Sequence, residues 1–192
     1  MPIDWPDGLY QQSESWGMAY NDRAFEAMNN SQQIADFPGA YWEASLTFDK
    51  MDEARERSLT ALLGQLRGRT GICRVPAVTR VRTDNIGAVV VVSASAMAYS
   101  LRLGGIAPGE GFRVGDYLTV GDELVEVVEP AVADLSGEAL VLINRRLRLA
   151  YAAGTPVEYR NPYCVMRLSD SRYAVTRRPM QSSMTIKFRE AF

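Results

Sequence analysis

From Ile72 to the end, the sequence offers no sustained helical period; it reads instead as short strand-forming segments separated by turn residues. The candidates are Ile72–Val75, Gly87–Ala94, Ala98–Leu103, Tyr117–Val120, Glu123–Val128, Ala139–Ile143, Pro156–Tyr159, Tyr163–Leu168, Tyr173–Arg177 and Ser183–Phe188. So many short strands at close spacing favour small barrels or sandwiches over a parallel sheet. Gly121-Asp122 and Ser169-Asp170-Ser171 read as tight hairpin turns. The stretch Gly104–Gly111 reads as a flexible loop; it carries no lysine followed by Ser or Thr and no following helix, so it does not make a phosphate cradle.

Upstream the pattern changes. In Tyr41–Phe48, Trp42, Ala44, Leu46 and Phe48 fall on one side and Glu43, Ser45 and Thr47 on the other, which marks a half-buried strand. Residues 49–67 read as a helix capped by Asp49, with Asp52 and Glu53 in its first turn and Met51, Leu59, Leu62, Leu63 and Leu66 on one face. Gly68 supplies the left-handed stop. The first thirty residues lack a period and read as irregular or edge-strand material anchored by Trp5, Trp16, Tyr20 and Phe25. The fold class expected is mainly β, a sandwich or split barrel with one helix.

Composition removes most chemistry. The 192 residues include no histidine, so there is no Ser-His-Asp or Cys-His relay and no imidazole metal ligand. Cys73 and Cys164 form no C-x-x-C pair and read as buried small hydrophobes. Adjacent acids, Asp122/Glu123 and Asp52/Glu53, read as solvated or capping groups, and Asp134-Leu135-Ser136-Gly137 lacks the repeated ligands of a calcium loop. No catalytic, cofactor-binding or metal-binding residue is identified, and a non-enzymatic role is expected. The N-terminus lacks a secretory pattern, and the longest apolar run, Ala88–Val92, is far shorter than the ~20 residues that span a bilayer. A soluble protein made in a reducing cytoplasm, with no membrane partner, is expected.

The formal net charge of -2 conceals segregation. Residues 1–66 hold 11 acids and 4 bases, 67–101 hold 1 and 5, 102–138 hold 8 and 2, and 139–189 hold 2 and 10. One reading is four solvated faces that intermix in space; another is complementary surfaces offered to further copies of the chain. Nineteen of the 21 bases are arginine, whose planar fork suits interface pairing, although a GC-rich genome gives the same bias. The basic C-terminal third invites a nucleic-acid reading, but the pI of about 5.3 and the absence of a recognition helix oppose specific binding. Arg145, Arg146, Arg148, Arg177 and Arg178 are instead the candidate contacts between subunits.

Three stretches carry a resemblance. They are Phe37–Phe48 followed by a helix ending in Leu62–Gly71; Phe112–Gly121 leading through Val125–Val128 to Asp134–Ala139; and Asn144-Arg145-Arg146-Leu147-Arg148 with the closing Phe188-Arg189-Glu190-Ala191. Together, over roughly residues 35–192, they resemble the distal tail protein and other small minor tail proteins of long, non-contractile-tailed, siphovirus-like phages. The resemblance implies a structural virion protein of the tail tip: a homohexameric ring joining the tail tube protein to the hub or baseplate proteins, around a channel through which only genome DNA passes. It implies a ring-forming belt domain, residues 1–78 plus 150–192, with a tail-tube-like β-sandwich and one helix, and an inserted small, oligonucleotide-binding-like β-barrel at 79–149. Alternatives from other classes are another minor tail or hub protein, a small β-barrel module that binds nucleic acid or carbohydrate, and an enzyme using carboxylates.

Overall fold

The computed structural model describes residues 1–26, 28, 30–179 and 181–192. In chain order the strands and the α-helix are β1 (Ser13–Glu26), β2 (Gln32–Met51), α1 (Glu53–Leu66), β3 (Cys73–Pro76), β4 (Gly87–Ser93), β5 (Ser100–Ile106), β6 (Gly111–Phe112), β7 (Tyr117–Val120), β8 (Glu123–Glu126), β9 (Ala131–Val132), β10 (Ala139–Leu142), β11 (Val157–Glu158), β12 (Tyr163–Leu168), β13 (Thr176–Arg178) and β14 (Gln181–Glu190). Among the described residues the fold is mainly β with a single α-helix, as the strand-and-turn pattern predicts.

The main sheet runs β1-β2-β14-β12-β3, with β13 paired to the start of β14. Trp42, Ala44, Leu46 and Phe48 of β2, Met184, Ile186 and Phe188 of β14, and Cys164, Met166 and Leu168 of β12 point to one side of it. There they meet Leu59, Leu62, Leu63 and Leu66 of α1, the leucine face expected from the sequence. Trp5 completes this core against the rings of Phe48 and Phe188. Both cysteines lie in it, two rungs apart on β3 and β12. The β3 edge is covered by the chain's own start: Ile3 donates to the Ile72 carbonyl and accepts from Arg74 N–H.

The remaining strands form a second body. Sheets β10-β5-β4 and β11-β7-β8 are joined at one seam by the bridge Val90↔Pro156 and at the other by Val127↔Ile143, so the six strands close into a small barrel. Its core runs from Ile86 to Tyr159 and includes Val157 and Tyr159, whereas the sequence reading placed the insertion at residues 79–149 and returned to the belt at 150. The barrel enters after β3 and leaves into β12. Tyr117 and Leu124 of β7 and β8 pack into the first core, so the two bodies share a wall.

Several local expectations are corrected. Of the two readings of the first thirty residues, irregular or edge strand, residues 13–26 take the second: they form the edge strand of the main sheet, its rungs from Ser13↔Thr47 to Glu26↔Gln32 supplied, apart from a bulge at Tyr20, by the unusually long β2. The helix begins at Glu53 with Asp52, not Asp49, as its cap: Met51 is buried and pairs with Ser182, which keeps the chain extended, and the Asp52 carboxylate accepts from Arg55 N–H at 2.8 Å. It ends through Arg67 and Gly68, both left-handed. Gly104–Ile106 is not a loop but the end of β5. There a Cβ on Gly105 would lie 2.2 Å from the Ala88 carbonyl oxygen, and one on Gly87 2.1 Å from that of Gly105, an approach open only to glycine. Gly121-Asp122 is the tight β7–β8 turn expected. Ser169–Ser171 does not join two paired strands, since β12 pairs with β14 instead and β13 folds back on β14 alone.

Candidate functional site

Two places in the molecule concentrate unusual chemistry: the wall between sheet and barrel, and the outer end of the β1–β2 hairpin.

At the wall, the inward-facing series Met184, Ile186, Phe188 of β14 continues to Glu190, a carboxylate buried to the same degree. Likewise the buried series Val141, Ile143 continues to Arg145 and Leu147. The two charges meet as a two-pronged pair, Arg145 Nη1 and Nη2 donating to the Glu190 oxygens at 2.9 and 2.8 Å. Arg148 donates to the same carboxylate at 2.6 and 3.0 Å, and both guanidiniums donate to the Ala40 carbonyl oxygen. Trp42 N–H adds a third residue to the donors around Glu190. Glu123, also buried, accepts from the backbone N–H groups of Arg148 and Leu149 and lies 3.5 Å from Arg145. Two cations thus balance two anions in a water-poor site, the condition under which buried charges are tolerated.

Beside the cluster, Trp42, Trp16 and Tyr117 pack ring against ring, and the Trp42 indole N–H donates to the Leu124 carbonyl at 2.8 Å. Burial pushes the phenols of Tyr117, Tyr151 and Tyr163 upward and the Cys73 thiol to about 12. Cys164 is raised too, first by burial and then by the Glu190 charge. The cluster ties the last strand, the barrel and the base of β2 into one piece.

The arginines proposed from sequence as contacts therefore separate. The Arg145 side chain is 1% exposed and bound within its own chain, so it is not offered to a neighbour; segregated charge along the sequence is here cancelled inside the fold. Arg148 is largely engaged likewise, and its guanidinium also covers the Phe192 ring. Arg146 reaches out to Asp36 of β2 at 2.9 Å and lies over the Tyr99 ring. Arg177 bonds Glu56 of the helix at 2.6 Å while remaining largely exposed. Arg178 lies exposed at the turn-ward end of β13. Sequence reasoning missed Glu123, Glu190 and Asp36. The first it read as solvated, although the inward alternation of Glu190 with Phe188 and Ile186 was a readable signal.

The hairpin's outer end differs in kind. Beyond a bulge between Ala19 and Asn21, held by Asn21 Nδ2 donating to the Pro38 carbonyl and by Gly39 at positive φ, β1 and β2 pair, among the described residues, only with each other. This ribbon leaves Tyr20 58%, Phe25 55%, Ile34 64% and Phe37 44% exposed. One face carries Asp22, Ala24 and Glu26 opposite Asp36, Ile34 and Gln32; the other carries Arg23 and Phe25 opposite Ala35 and Gln33, with Phe37 opposite Asn21. An isolated two-stranded ribbon is marginal in water, and aromatic residues exposed along one mark a surface that needs covering. Among the described residues, no group of three or more His, Cys, Asp or Glu is placed to hold a metal ion.

No protein-family model matches the sequence, and no curated protein matches it.

Proposed function

We propose that this chain is a structural subunit of a phage tail tip, a ring-forming protein that joins the tail tube to the hub or baseplate around the DNA channel. The sequence resemblance supplies that identity and the hexameric count. The observation that carries the reading is the β1–β2 arm: a seven-residue stretch of β1, Tyr20–Glu26, exposed at every position and, among the described residues, paired to no strand but β2. A free-standing enzyme or ligand-binding barrel has no use for such an arm, whereas a subunit that gains its final stability from neighbours does. The rigid wall cluster suits the same role, because a ring transmitting load needs its two bodies fixed relative to one another.

Native mass spectrometry with negative-stain imaging of the purified full chain tests this. Rings, or stacks of rings, are expected. A chain that stays monomeric at every concentration reached, yet binds single-stranded oligonucleotides with steep salt dependence, would overturn the assembly reading in favour of a nucleic-acid-binding barrel.

A further inference from the structure

Two barrel side chains converge on one residue of the outer arm. Tyr99, just ahead of β5, donates from its hydroxyl to the Asp36 carboxylate at 3.3 Å, and Arg146, in the segment after β10, donates to the same oxygen at 2.9 Å. The Arg146 guanidinium also lies 5.3 Å from the centre of the Tyr99 ring, so the two donors support each other. The barrel half of this contact is rigid: the N–H groups of Ile143 and Leu147 donate to the carbonyls of Tyr99 and Ala98, and Met97 N–H donates back to Leu147. Arg146 stands between Arg145 and Arg148, both fixed in the wall cluster.

The arm half is the weak one. Packing does little to hold it, since a cleft remains between arm and barrel, lined by Tyr20, Phe37, Met97 and Tyr99, each of which stays exposed. Its own ladder carries a fault as well. Asp22 is the direct cross-strand partner of Asp36, so two carboxylates share one face of a two-stranded ribbon, and like charges placed opposite each other destabilise such a pair. Among the described residues, the ion pair that reaches these two acids is the one between Asp36 and Arg146.

We propose that Asp36, Arg146 and Tyr99 form a latch that keeps the outer arm folded against the rigid rim of the barrel, with Arg146 the positioning residue that offsets the repulsion between Asp22 and Asp36. The device works within one chain and does not rest on the assembly reading. Under that reading it presents the arm to a neighbour already ordered, which spares the contact the cost of ordering it. Releasing the latch leaves the molecule folded; the ribbon opens locally, over residues 21–26 and 32–37, while the half of β2 that lies beside β14 stays closed.

Hydrogen exchange followed by mass spectrometry, on the full chain in dilute solution, tests the latch with Arg146→Ala, Asp22→Asn and the two together. Arg146→Ala is expected to speed exchange in peptides covering residues 20–37 about threefold or more, the size that a partly solvated ion pair and a cross-strand repulsion give, and to leave peptides covering Trp42–Phe48 unchanged. Adding Asp22→Asn should return the arm to within about twofold of the parent, because no repulsion is then left to offset. A role in packing alone predicts no such rescue. Arm exchange unchanged in Arg146→Ala overturns the latch, and so does a loss of protection that spreads equally into Trp42–Phe48. A loss confined to the arm that Asp22→Asn fails to restore overturns the charge compensation on which the latch is argued. Exchange is read on the single chain, so each of these outcomes is separate from the native-mass test of the assembly reading.

Discussion

Between Ser13 and Ala19, strand β1 alternates exposed and half-buried side chains, whereas from Tyr20 to Glu26 the same strand exposes every residue. Its partner behaves in parallel: β2 buries Trp42, Ala44, Leu46 and Phe48 but is mostly exposed from Gln32 to Gly39. The backbone ladder is continuous through both halves apart from one bulge, so hydrogen bonding between the two strands does not distinguish them. What differs is the third strand. β14 lies beside β2 only from Glu43 to Met51, and its Met184, Ile186 and Phe188 build the core that the inner half needs. A ladder alone leaves a ribbon whose stability comes from elsewhere.

The comparison breaks most decisively at Glu190. Replacing it with alanine leaves two cations, Arg145 and Arg148, facing the single carboxylate of Glu123 in a buried site, and a loss of about 3–5 kcal/mol in urea unfolding is expected. A loss below about 1 kcal/mol would show that the wall cluster does not hold sheet and barrel together. Next, Phe48→Ala in the inner half should cost about 3–5 kcal/mol, because the side chain is fully enclosed by Trp5 and the α1 leucines.

Alkaline pH sharpens the same contrast. Five groups with raised proton affinity, Cys73, Cys164, Tyr117, Tyr151 and Tyr163, all lie in the inner sheet or the barrel. The folded state keeps protons that the unfolded chain releases near its ordinary values of 9.0 for the thiols and 10.0 for the phenols. Their contribution is fully present below those values and is lost as pH rises beyond them toward the folded-state values. Denaturant midpoints should therefore hold level up to about pH 9 and fall above it; a flat profile through pH 11 would contradict the burial assigned to these groups. Smallest are the arm changes. Arg146→Ala should cost less than about 1 kcal/mol, because its pair with Asp36 is partly solvated. Phe25→Ala should stay within about 0.5 kcal/mol in the monomer, and calorimetry showing more would mean that the Phe25 ring packs within its own chain.

The sequence is legible where one physical cause acts alone. Tyr41–Phe48 alternates because one face of it is core, and Leu59, Leu62, Leu63 and Leu66 share a face for the same reason. The β7–β8 turn follows from Gly121, whose φ of +61 and 2.7 Å clearance to the Tyr151 ring leave no room for a side chain. Reading fails where the causes lie far apart in sequence. The outer half of β1 has no alternation because neither face is buried, so nothing in residues 20–26 announces a strand; only the register with β2 creates it. The arginines of residues 145–148 read as free charge because their carboxylates arrive from Glu123 and Glu190, the latter more than forty positions later. The barrel core reaches Tyr159 because β11, only two residues long, is too short to carry a pattern.

The covered edge of β3 bears on how many copies can share backbone. With Ile3 seated on one side of the main sheet, and its neighbour Trp5 held in the core, the long free rim lies along β1. A subunit with one long open rim can lend it once, so strand-to-strand joining through the long rims would stop at a pair. Endless sheet growth, the route to fibrils, is closed along that direction, and any larger assembly must be stitched by side chains and ribbon ends.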